Sequence, residues 1–158
     1  MAGEVAELGV SVKEGFLGTA APRYADVMLL LEMGMGLALL LGAVLARQKR
    51  FRLHAWCQGA VVVLNLGVIL LLMAPSLHSR VSPKIPVKLG KPFYALATAH
   101  AALGTLAEIA ALYILLAAGT NILPRRWRMT RYKLWMRSVL VLWWLVLLLG
   151  LATYLRWY

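Results

Sequence analysis

Residues 93–120 read FYALATAHAALGTLAEIAALYILLAAGT. The stretch is apolar on every side of a helix and carries only two ionisable groups, His100 and Glu108. A hydrocarbon layer about 30 Å thick takes about 20 apolar residues at a rise of 1.5 Å each. This segment is long enough to cross it. Three others match it in length and character: Tyr24–Ala46, Leu53–Met73 and Leu134–Leu155. Helices that are apolar all round suit lipid, since a soluble core would wet one face of each. The chain is 62% hydrophobic, with a mean hydropathy of +0.76. The sequence therefore predicts an all-α integral membrane protein. Short connections force neighbours to alternate, which gives an up-down-up-down four-helix bundle. Residues 1–22 form an extracytoplasmic leader and residues 23–158 a single four-span domain. No internal repeat or low-complexity tract is visible.

The net charge is +11 and the isoelectric point about 10.4. In a soluble chain that excess would point to nucleic acid. Here it reads as topology, and no nucleic-acid partner is expected. Arg47, Lys49, Arg50 and Arg52 crowd the first connection. Arg125, Arg126, Arg128, Arg131 and Lys133 crowd the third, and Arg137 begins the last span on that side. The positive-inside bias makes this side cytoplasmic. The leader, with Glu4, Glu7 and Glu14 against Lys13 and Arg23, then lies outside, as does the C-terminus. Arg80, Lys84, Lys88 and Lys91 weaken the bias without reversing it. The lipid bilayer is the first partner, and basic interior loops would also attract anionic headgroups. The leader lacks a basic start and the first apolar run is too long for a cleaved signal, so the first span is expected to stay.

Small residues set the packing expectations. Gly34, Gly36 and Gly42 in the first span let backbones approach where lipid supplies no hydrophobic drive. The third span is rich in alanine and belongs at the bundle centre, whereas Trp143, Trp144 and many leucines suit the fourth to lipid. Trp127, Trp135, Trp157, Tyr154 and Tyr158 sit near the expected interfaces, as aromatic belts do. Val5–Phe16 has the composition of a short interfacial helix. The second span is expected to end near Ala74-Pro75. Ser76–Pro92, with Pro83, Pro86, Gly90 and Pro92, reads as an extended outer loop across the helix ends.

Polar residues inside the wall carry whatever chemistry there is. An ionisable group in the bilayer costs at least about 2.5–3.5 kcal/mol on insertion scales and needs a partner or a purpose. Asp26, Glu32, Asn65, His100 and Glu108 stand out. Counted from the outer ends of their spans, Glu32 and His100 share a level about 10–12 Å deep, within reach of a mutual hydrogen bond. Glu108 lies two turns deeper than His100 on nearly the same face, and Asn65 lies near Glu108 in depth. Such a polar interior either holds a cofactor or passes protons, or it locks the bundle with buried hydrogen bonds. A protonated carboxylic acid bonded to a neighbouring helix satisfies both.

The three histidines sharpen the first alternative, because imidazole is the usual axial ligand of b-type haem. His54 and His78 are 24 residues apart, about 36 Å along one helix, and cannot bind one haem together. His78 and His100 can face each other if the stretch after Pro75 stays helical or folds back. They are the candidate metal ligands, with His54 a further candidate for cofactor binding. The single Cys57 forms no internal disulfide, and without CxxC or CxxCH a covalently attached haem is excluded. No hydrolytic triad, phosphate loop or HExxH is present, so nothing here points to an enzyme. The Glu32–His100–Glu108 line is the only support for a proton path, and the chain lacks the paired repeats and broken helices usual in transporters.

Residues 47–158 resemble an uncharacterised bacterial family of small four-helix membrane proteins linked to assembly of haem-copper terminal oxidases. The likeness is carried by the basic turn Arg50-Phe51-Arg52-Leu53-His54, by His78 beyond the second span and by Phe93-Tyr94 with Thr98-Ala99-His100. It continues in an aromatic last span ending Gly150-Leu151-Ala152-Thr153-Tyr154-Leu155. The resemblance implies a four-histidine bundle in the bacterial inner membrane, in a respiratory-chain setting, with a terminal oxidase or similar complex as partner. By spacing to Gly150, Tyr132 stands where that family carries its fourth histidine. That departure leaves His54 without its counterpart and only the His78–His100 pair intact. Two functions follow as expectations: haem binding through that pair, with Glu32 and Glu108 tuning charge nearby, or an accessory subunit without chemistry of its own, in a respiratory or photosynthetic assembly.

Overall fold

The computed structural model describes residues 15–88, 90–120, 122, 124 and 130–158, apart from the side chains of Arg80 and Phe93. The expected helix of the leader falls almost entirely outside these residues, as do Arg125, Arg126, Trp127 and Arg128. Among the described residues there is no strand. Four long helices dominate: α1 (Arg23–Arg47), α2 (Phe51–Val68), α3 (Pro92–Gly119) and α4 (Tyr132–Trp157). All four are long and apolar enough to cross a membrane.

Their boundaries have local causes. Pro22 precedes α1 in extended conformation, and Asp26 lies in the first turn, where a negative charge meets the positive end of the helix dipole. The α1–α2 corner is tight. Arg50 N–H donates to Leu45 O at 2.9 Å, and Lys49 adopts a left-handed φ of 61°. Glycine is usual at such a C-terminal stop; here a basic residue holds it. Pro92 opens α3 at a position that needs no N–H donor.

One expectation is corrected. The second span does not give way to an extended loop after Pro75. It continues as helix to Lys88, so the whole element runs Phe51–Lys88, 38 residues. The continuation is irregular: π-helical turns at Ile69–Met73 and Leu77–Val81 alternate with short α and 3-10 pieces. The prolines explain both the reading and the result. Within a regular helix a proline lacks its N–H and its ring strikes the carbonyl four residues back. Wider turns relieve that clash. Pro75 follows the first π-turn and Pro83 the second, each in the first two positions of the piece it opens. The same residues that read as loop punctuation therefore reset the helix without ending it.

The core draws on all four helices: Met35 and Leu39 from α1, Val61 and Val62 from α2, Ala111 from α3, Val139 and Trp143 from α4. Packing joins α1 to α2, α2 to α3, α3 to α4 and α4 to α1. Side chains tie these neighbours to one another's backbones. On α2, Cys57 Sγ donates to Ala38 O at 3.2 Å, Gln58 Nε2 donates to Leu39 O at 3.0 Å, and His54 Nδ1 lies 2.8 Å from Gly42 O. A Cβ on Gly42 would collide with the Gln58 amide, so the bare backbone there leaves room for the Gln58 side chain to reach Leu39 O. Tyr132 OH at the start of α4 donates to Ala117 O near the end of α3 at 3.4 Å.

Candidate functional site

Away from the α1–α2 corner the helices leave a cavity of about 280 Å³, with an adjoining one of about 170 Å³. Met28, Glu32, Met73 and His100 line both. The first π-turn supplies Ile69 and Met73, and the second supplies Leu77 and Val81. The irregular stretch of the second span thus forms one wall, and Trp143 and Val146 of α4 close another.

His100 is held firmly. Its Nδ1 lies 2.9 Å from Val146 O on α4. A carbonyl only accepts, so Nδ1 carries the proton, and in the neutral ring Nε2 presents a lone pair. Gly150 makes room for the ring: a Cβ there would sit 2.9 Å from Cε1 and 3.2 Å from Nδ1. The depth-based expectation of a Glu32–His100 hydrogen bond is therefore corrected. The imidazole N–H goes to α4 backbone, and Glu32 Oε1 is buried without a partner.

Asn65 and Glu108 do meet, at the shared depth the sequence gives them. Asn65 Nδ2 donates to Glu108 Oε2 at 2.9 Å, and both residues are buried, 8% and 4% exposed. Glu108 Oε1 remains without a hydrogen bond. Glu32 Oε1, on α1, is likewise buried without a hydrogen bond. Two carboxyls therefore share the interior, with one oxygen on each unpartnered.

His78 is a different case. Leu77 and Val81, four residues apart, share a helix face and point into the cavity. His78, the next residue in the same π-turn, is exposed and lines neither cavity. The structure does not bring it into the cavity with His100. His54 sits on the α1 backbone near the corner, bonded to Gly42 O. Among the described residues no group of three or more His, Cys, Asp or Glu side chains is placed to hold a metal ion.

Asp26 belongs to neither cavity. It is fully buried, accepts Leu17 N–H at 3.0 Å and Tyr154 OH at 2.5 Å, and so fastens the residues before α1 to the end of α4. Thr19 Oγ1 lies 2.7 Å from the same phenol oxygen. Counting depth from the span ends, as for Glu32 and His100, would have paired Asp26 with Tyr154. Met28, Met73 and Val146 carried no signal of their own, since each reads as ordinary apolar lining. Comparison with protein-family models, with curated proteins and with solved structures found no match.

Proposed function

We propose that this chain is a multi-pass protein of the bacterial inner membrane that works as an accessory subunit of a larger respiratory-chain assembly. Its helices form an up-down-up-down bundle, with the basic corner and Arg131 on the cytoplasmic side and both termini outside. The pairings 42 with 54, 39 with 58 and 132 with 117 support that alternation. The respiratory setting rests on the family resemblance.

The observation that carries the accessory reading is the use made of the polar side chains. His54, Cys57, Gln58, Asn65, His100 and Tyr132 each tie one helix to another. In lipid such bonds supply about 0.6 kcal/mol each, up to about 1.7. They set the geometry of a scaffold. Purification in mild detergent tests the reading. The chain should travel with a large membrane complex of the respiratory chain, and solitary behaviour would sink the proposal.

A second reading, b-type haem binding, has one specific observation in its favour. Histidines that ligate a metal commonly donate their other ring N–H to a carbonyl, and His100 does so with Val146. The exposed His78 weakens a two-histidine site. A Soret band in the purified protein, abolished by His100→Ala, would support this reading, and a colourless preparation would remove it.

A further inference from the structure

The cavity has a chemical signature that the accessory reading does not use. Its lining is mostly apolar, with a buried tryptophan, Trp143, beside methionine and aliphatic side chains. Into this wall are set two polar groups without partners for the atoms concerned: His100 Nε2 and Glu32 Oε1. His100 Nε2 is fixed as an acceptor because Nδ1–H is engaged by Val146 O. Glu32 accepts when ionised. Apolar cavities with a few converging polar groups are the ordinary form of small-molecule sites. The missing complement is an apolar body with hydroxyl donors, and a hydroquinone ring is one that a cavity of this volume admits.

We propose that the cavity between α1, the π-helical stretch of the second span, α3 and α4 binds a lipid-soluble hydroquinone head group, with one hydroxyl donating to His100 Nε2 and the other to Glu32. The oxidised quinone offers only carbonyl oxygens, and one of these would face the imidazole lone pair with no proton between them. A site built to receive a hydroxyl discriminates against the analogue that lacks it, because its own polar group is then left unpaired. The site therefore prefers the reduced form. It binds and does not itself transfer electrons. The proposal stands apart from the accessory role, since the purified chain alone is enough to test it.

The probe is duroquinol against duroquinone, in anaerobic equilibrium dialysis with the protein in nanodiscs and empty nanodiscs as the partition control. Duroquinol should bind saturably and about tenfold or more tighter than duroquinone. His100→Leu and Glu32→Leu should each weaken duroquinol binding about tenfold and narrow the preference, since each removes one hydroxyl acceptor. Glu32→Leu removes no hydrogen bond, so it keeps the test decisive even if His100→Leu fails to fold. Ala101→Leu, which fills the cavity from α3, should abolish binding of both. Duroquinol retention equal to that of empty nanodiscs, equal affinity for the two forms, or binding unchanged in Glu32→Leu would each overturn the proposal.

Discussion

The two halves of the bundle treat polar side chains in opposite ways. Near the α1–α2 corner, His54, Cys57 and Gln58 each find a backbone carbonyl of α1, and the helices close on Gly42. Toward the other half, Glu32 and Glu108 keep unpartnered oxygens, His100 keeps a free Nε2, and the second span widens into π-turns around a cavity. Lipid offers no hydrophobic drive for helix association, so packing and hydrogen bonds decide it. The corner half satisfies both needs. The cavity half forgoes them over several residues, and π-turns recur at functional sites. Removing a bonded polar group should therefore cost stability, whereas removing the unpartnered Glu32 carboxyl from the cavity half should not.

The largest effect belongs to the apolar core that both halves share. Leu39→Ala, at a buried position in contact with all the helices' core, should lower stability toward the low end of about 2–5 kcal/mol, since in lipid the lost packing counts more than transfer from water. Unfolding in mixed micelles followed by circular dichroism measures it. Gly150→Val drives a branched side chain into the His100 ring and should cost about 1–3 kcal/mol. A cost near zero would mean that the imidazole moves freely and that the cavity half is looser than described. Asn65→Leu strips Glu108 of its donor and should cost about 1–2 kcal/mol by the same measurement. The sharpest contrast is the smallest. Gln58→Leu should cost about 0.6 kcal/mol, whereas Glu32→Leu should leave stability unchanged or raise it, because no bond is lost and an unpaired buried group is removed. Equal losses from the two substitutions would erase the distinction between the halves.

The four spans were legible because runs of bilayer length leave little choice. Tyr24–Ala46 became Arg23–Arg47, and Leu134–Leu155 became Tyr132–Trp157. Depth also set Asn65 level with Glu108, which it bonds, but the same count paired Glu32 with His100, which do not bond. What failed was the stretch after Pro75. A proline in sequence does not say whether the chain will break or will widen its turns, because that depends on what packs beside it. Here the turn Leu77–Val81 packs beside α3, and Leu77 and Val81 line the cavity. His78 was misjudged for a related reason: counting residues fixes height along an axis but not direction around it once π-turns alter the angle per residue. The ties to Ala38, Leu39, Gly42 and Val146 were invisible because every residue offers the same carbonyl. Sequence names the donor and never the acceptor.

The length of the Phe51–Lys88 element has a mechanical consequence. At about 1.5 Å per residue its 38 residues measure about 57 Å, nearly twice an oily layer of about 30 Å. Set across a membrane, it exceeds what the oily layer can cover, and Lys84 and Lys88 in its last turns lie where the chain turns back into α3 at Pro92.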